Sequence, residues 1–406
     1  MKIKEIQAVR VNFPAPEKRT EPRRKGWAET AEVANPMSWY PKVKRHRSLW
    51  TPKRWGAVWC KVTLEDGTWG LGLTDNGRVA AAIIDDHIAP NLIGEDGLAV
   101  QKLADMMFRM TKPYGSVGLA AYAVSAVDLA LWDLAGRALN IPVHKLLGAT
   151  RDKVPAYAST MCGDDVEGGL GTPEDYAAFA EWCIERGYPA FKLHTWQPPY
   201  EGAPDVKRDI AACAAVREVY GPDAHLMLDP YHYYSRLESL YLAKGLEELD
   251  YYWMEEPMDE HSMSSYVWLC EQTALPICGP ETAEGKMFTR AEWIKAGACD
   301  LVRGGVGDLG GLTPLMKVAH LAESFGMRME VHGGGPGNFH ALCAMGFPGE
   351  YYERGLLHPF IDYEQPPAWL NRLDDPMDEE GFVHISQLPG LGQDINWDYI
   401  NANLVE

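Results

Sequence analysis

Leu226-Met227-Leu228-Asp229, Tyr252-Trp253-Met254-Glu255 and Pro276-Ile277-Cys278-Gly279-Pro280-Glu281 are three short apolar runs, each ending in a carboxylate, with the carboxylates 26 residues apart. Each repeat spells a strand, an acid at its C-terminal end, and enough chain for a helix before the next strand. In a barrel of parallel strands those ends converge on one face, where the loops build the active site. Three converging carboxylates repel one another unless a cation joins them, and an all-oxygen set suits Mg²⁺ better than zinc. A single strand-end carboxylate is more often a helix cap or a surface ion pair. Three on successive units point to a divalent-metal enzyme with Asp229, Glu255 and Glu281 as ligands.

Outward from this core the same alternation continues. Strands are expected near 154–159, 189–194, 225–229, 251–255, 276–280, 300–304, 328–332 and 350–353, separated by helical stretches such as Pro173–Glu185, Val206–Val219 and Leu312–Phe325. Eight strand–helix units of this kind imply an α/β protein with a (β/α)₈-type barrel rather than an open sheet. Residues 1–14 and 55–75 alternate as antiparallel strands, the second stretch turning at Asp66-Gly67. Between them residues 15–54 are rich in Pro, Trp and charge without a period, which predicts a long functional loop. Residues 76–112 read as helices. The helix from about Leu119 to Leu139 is apolar nearly all round, broken by Asp128 and Asp133, and is expected to be buried. The expected division is a capping domain over 1–125, a barrel over 126–365, and a tail over 366–406 that returns to the cap.

The 38 basic and 57 acidic residues leave a net charge of −19, a field that repels nucleic acid and anionic membranes. The N-terminus begins as a strand and lacks the apolar core of a signal peptide, so a cytoplasmic location is expected. The eight cysteines are scattered without a Cys-x-x-Cys pair and read as reduced core thiols. Within the acidic chain residues 42–54 are densely basic, including Lys44, Arg47 and Lys53, and are either an anion-binding loop or a solvated one.

Other strand ends carry candidate acids and bases. In Phe191-Lys192-Leu193-His194 the charged residues alternate, so Lys192 and His194 share a face. A lysine beside a divalent cation is pushed toward its neutral form and becomes usable as a base; alternatively it is ion-paired with one of the carboxylates. His332, before Gly333-Gly334-Gly335, would approach a bound substrate from the opposite side of the barrel. Glu353 either hydrogen-bonds substrate or pairs with a neighbouring arginine.

The stretch Val124-Ser125-Ala126-Val127-Asp128-Leu129-Ala130-Leu131-Trp132-Asp133-Leu134-Ala135-Gly136, with Ile141-Pro142-Val143-His144-Lys145-Leu146-Leu147-Gly148, Trp253-Met254-Glu255-Glu256-Pro257 and Gly310-Gly311-Leu312-Thr313, resembles the mandelate racemase/muconate lactonizing group of the enolase superfamily. The resemblance covers almost the whole chain. It implies an α+β capping domain, formed by the N-terminal region and the C-terminal tail, over a modified (β/α)₈ barrel. It also implies Mg²⁺ on Asp229, Glu255 and Glu281, the first glutamate of Glu255-Glu256 being the ligand, and removal of a proton α to a carboxylate. Within the group, Ala34-Asn35-Pro36-Met37-Ser38-Trp39-Tyr40, Arg47 and His332 are similar to L-rhamnonate dehydratases, which implies that Arg47 binds an acid-sugar substrate.

The chain departs from that pattern on two strands. The second barrel strand carries Lys-x-His instead of Lys-x-Lys. On the sixth, Gly305 stands where the family places the aspartate that pairs with the strand-seven histidine, and Asp308, three residues on, is not expected to reach back. Three readings follow: an acid-sugar dehydratase acting on an aldonate or aldarate, a racemase or epimerase of a 2-hydroxy acid with His194 and His332 flanking the α-carbon, or a binding protein with weakened chemistry. The dehydratase is preferred, with a small-molecule partner and a homo-oligomeric state.

Overall fold

The computed structural model describes residues 1–12, 55–198, 200–361 and 363–405. Strand β1 (Ile3–Arg10) pairs antiparallel with β2 (Val58–Leu64), and β2 with β3 (Trp69–Thr74), the last two joined through the Asp66-Gly67 turn. Helices α1 (Gly77–Ile83) and α2 (Val100–Thr111) follow, then α3 (Leu119–Leu139), which lies across the sheet. Gly70 and Gly72 explain how closely it lies. A Cβ at either would fall 2.2 or 2.1 Å from the Ala130 or Ala126 carbonyl oxygen of α3, so only glycine lets the backbones touch.

Helix α3 is long and apolar enough to cross a bilayer, but it is mostly buried within the protein. Its two acids are its ties. Asp128 accepts from Thr313 N at the start of a barrel helix (2.9 Å), while Asp133 accepts from Leu71 N (2.9 Å) in the cap and Leu391 N (2.7 Å) in the tail. The division expected between residues 125 and 126 falls inside this helix.

Eight parallel strands follow: β4 (Lys153–Thr160), β5 (Ala190–His194), β6 (His225–Asp229), β7 (Trp253–Glu255), β8 (Ile277–Gly279), β9 (Leu301–Gly304), β10 (Arg328–Val331) and β11 (Tyr352–Leu357). Neighbours in sequence pair from β4 to β10, and β11 pairs with β4. Among the described residues no ladder joins β10 to β11; Met329 N donates to Pro348 O (2.7 Å) across that seam. Helices sit in the links between successive strands, several of them capped by the preceding loop, as at Thr172, Asp205 and Ser235.

The eighth strand departs from the expected unit. It is followed by a tail that first adds β12 (Phe382–His384) antiparallel to β4 and then runs to the cap, where Val405 N donates to Arg10 O (3.0 Å) and Trp397 packs edge-on against Trp69. All eight cysteines are free thiols.

The strand period of two sorts the barrel interior into layers. Tyr157, Ala190, Met227, Trp253, Cys278, Leu301 and Tyr351 form an apolar plug. Two residues further along the same strands stand Ser159, Lys192, Asp229, Glu255, Arg303 and Glu353, all buried. The plug closes the barrel interior beneath the charged layer.

Candidate active site

The site is this upper layer and the loops above it. Asp229, Glu255 and Glu281 are 2%, 0% and 6% exposed. Glu281 lies just beyond β8, where Glu260 anchors its loop by accepting from the backbone N–H groups of Glu281 (2.7 Å), Thr282 (2.6 Å) and Ala283 (2.7 Å). Glu255 faces inward, whereas Glu256, at φ 27°, turns toward His232 Nε2 (3.2 Å).

The chain's own cations reach every one of these acids. Lys192 Nζ lies 2.9 Å from Glu255, 2.8 Å from Glu353 and 3.7 Å from Asp229. His194 Nε2 meets Asp229 at 2.8 Å, with Nδ1 2.7 Å from the Thr160 carbonyl. Arg303 pairs with Glu255, with Glu281 (3.2 Å) and with Glu353 (2.7 Å). Among the described residues no three acidic, His or Cys side chains close into a ready ligand cage.

The donor set nonetheless fits a hard divalent cation: three buried carboxylates on adjacent strands, oxygen only. Burial pushes Glu255 up to about 8; Arg303 and Lys192 oppose the shift, and the neighbouring Asp229 and Glu281 add to it less strongly.

Two expectations meet the structure here. Lys192 is ion-paired with the carboxylates, the alternative reading of that residue. Burial would lower its ammonium, but Glu255 and Glu353 outweigh burial and hold it well above its ordinary range. The second concerns the missing carboxylate. His332 Nδ1 is 2.7 Å from Asp308 Oδ2, so the histidine has its acid after all.

The chain after β9 turns at once into the helical turn Val306–Leu309, with Gly305 as its N-cap. Asp308 is the third residue of that turn, and its side chain folds back to accept from Gly305 N (3.0 Å) and meet the imidazole. Burial opposes the charge on Asp308, but His332, then Arg290 and Lys286, hold it well below the ordinary carboxylate range. On His332 burial is outweighed by Glu281 and then Asp308, which push it up to about 10.

Glu353 is fully occupied. It accepts from Lys192, Ser159 Oγ (2.9 Å), Arg303 and Gly333 N (2.7 Å), and so serves as a partner to the cations rather than as a free group for substrate. Arg47, with Lys44 and Lys53, lies outside the described residues. The sequence does not mark out Arg303, visible only as an arginine among apolar strand residues, nor Glu260 and His232 in the loops.

The family description "Enolase C-terminal domain-like" matches residues 175–399, and "Mandelate racemase / muconate lactonizing enzyme, N-terminal domain" matches residues 37–148. The chain belongs to the mandelate racemase/muconate lactonizing enzyme family. A crystal structure of a D-glucarate dehydratase from Agrobacterium tumefaciens complexed with magnesium is 44% identical, with a TM-score of 0.86 and 100% of each chain covered. An L-rhamnonate dehydratase from Saccharopolyspora erythraea is 29% identical over 98% of this chain and 97% of that protein. A magnesium-bound racemase structure from Streptomyces coelicolor A3(2), 24% identical with a TM-score of 0.77 over 99% of this chain and 100% of that one, shares the fold. In this member of the family His332 pairs with Asp308, an acid on the turn beyond the strand end.

One buried acid on β10, in register with Arg303, gives a pH dependence of stability. Neither carboxylate oxygen of Glu330, on β10, has a hydrogen-bond partner among the described residues. Burial, then Glu350, pushes it up to about 8 from 4.5. The folded state thus binds this proton more tightly than the unfolded chain, and stability falls as pH rises from 4.5 to about 8, by an amount on the order of a few kcal/mol. We expect Tm to decline across that window and Glu330→Gln to flatten the decline. Equal slopes for parent and variant would count against it.

Proposed function

We propose that the protein is an Mg²⁺-dependent acid-sugar dehydratase, removing the proton α to the carboxylate of an aldonate or aldarate and eliminating the β-hydroxyl to give a 2-keto-3-deoxy acid. The observation that carries this reading is the His332–Asp308 pair beside a cluster of strand-end carboxylates. The 44% likeness to a glucarate dehydratase and the rhamnonate dehydratase likeness support it. The binding-protein reading rested on a histidine without its carboxylate, and that ground is gone.

Asp229, Glu255 and Glu281 would hold the Mg²⁺, which as a Lewis acid supplies the charge stabilisation that makes so weak an acid as an α-C–H removable. The chain's residues do the proton work. Asp308 fixes Nδ1, leaving Nε2, 3.3 Å from Glu281, as the reacting nitrogen. Glu281, first among the groups that hold a proton on His332, is itself a proposed ligand. Neutralising its charge therefore lowers the imidazole back toward a useful base.

One histidine suffices for dehydration. The proton it takes from the α-carbon is the proton it returns to the departing hydroxyl, and the resulting enol tautomerises to the ketone. Lys192 and His194 stand on the facing strand, where Lys192 acts as a fixed positive charge toward the substrate carboxylate. Arg47 is proposed to bind the distal end of the substrate.

Incubation with mono- and diacid sugars in deuterated water, with semicarbazide as trap, tests the reaction. The expected result is a 2-keto product, trapped as semicarbazone, from at least one acid sugar. Exchange of the α-proton with no trapped ketone would identify a racemase or epimerase instead.

A further inference from the structure

Arg303 is a charged side chain at the site to which the reaction above assigns no step. It is wholly buried, on the strand between Glu281 and His332. Its Nε faces Glu255 and lies 3.2 Å from Glu281, its Nη2 donates to Glu353 (2.7 Å), and its Nη1 donates to Tyr157 Oη and Val331 O (3.2 Å each). No other residue of the layer pairs with both Glu255 and Glu281. With Lys192 on its far side, Glu255 has a cation against each oxygen, Arg303 at Oε1 and Lys192 at Oε2.

We propose that Arg303 is a positioning residue for the metal, an internal counter-cation that holds Glu255 and Glu281 together from below and weakens their affinity for Mg²⁺. The inference rests on the assignment of these carboxylates as ligands. A planar guanidinium can engage several carboxylates at fixed angles, which a lysine cannot. Without it, the acids would carry more uncompensated charge in a low-dielectric layer and repel one another. With it, a dication arriving above meets carboxylates already partly neutralised, and meets the repulsion of a fixed positive charge. The arginine thus favours a site that is formed before the metal arrives and that binds it weakly enough to exchange.

The experiment is titration of full-length protein, stripped by chelator, with Mg²⁺ alone, read by calorimetry and by Tm. Arg303→Met should lower the Tm of the stripped protein and bind Mg²⁺ about tenfold more tightly. By linkage its Mg²⁺-induced rise in Tm should then exceed the parent's by about 2 °C. An arginine that merely packs would lower Tm equally with and without Mg²⁺, leaving Kd and the rise unchanged, and that result overturns the proposal. Weaker binding by Arg303→Met overturns it as well.

A variant that folds only when Mg²⁺ is present supports the proposal. If Arg303→Met folds in neither condition, Arg303→Lys decides, because it keeps the charge and loses the fork. Its Kd should fall by about threefold, and an unchanged Kd counts against the idea. A parent protein that takes up no Mg²⁺ sinks the metal assignment along with this inference. A parent that binds while the variants match it sinks this inference alone.

Discussion

Replacing Asp308 with alanine should lower kcat by about 10³-fold while KM changes little, because the imidazole loses the group that fixes its tautomer and orientation, an effect of that size in other histidine–carboxylate pairs. The Mg²⁺-induced rise in Tm should survive, since Asp308 contacts none of the three proposed ligands. Restoring an aspartate at the strand end should not rescue the variant. A Cβ at Gly305 would sit 2.5 Å from the His332 carbonyl oxygen, so Gly305→Asp in the Asp308→Ala background cannot place its carboxylate without moving that loop. Full activity in Asp308→Ala, or recovery in the double variant, would show that the pair at 2.7 Å is structural only.

Glu255→Gln should abolish turnover, with kcat down by about 10⁴-fold or more, and should also remove the Mg²⁺-induced rise in Tm. Glu255 is the central acid of the cluster, and both of its oxygens are held by cations that would lose their counter-charge. The amide has almost the same shape, so circular dichroism should be unchanged. Chelator treatment of the parent should reproduce the loss of activity, reversed by added Mg²⁺. Turnover in the stripped protein would rule out a metal role.

Most of the barrel was legible because its strands are short, buried and bounded by good helix signals. All eight expected strands are present, within a few residues of their expected limits. The alternation that placed Lys192 and His194 on one face also placed Arg303 there, but a single arginine in an apolar run carries no label saying which acids it will meet. Asp308 is harder to read because its signal lies in a helix cap and not in a strand. Gly305-Val306-Gly307-Asp308 puts an acid at the third position of a helical turn, and an acid there bends back to the residue before the turn, which is the strand end. The eighth unit was over-read for a different reason. Periodicity identifies elements one at a time and cannot tell that the chain after β11 supplies a strand that pairs antiparallel with the start of β4.

Helix α3 is shared property. Its glycine-seated face belongs to the cap sheet, its Asp128 reaches the barrel and its Asp133 reaches the tail. Neither half of the molecule therefore owns a complete interior, and removing residues 1–118 would strip one side of a buried helix while leaving its acids in place. Cap and barrel should melt in a single cooperative transition, and an attempt to transplant either part onto another scaffold would have to carry this helix with it.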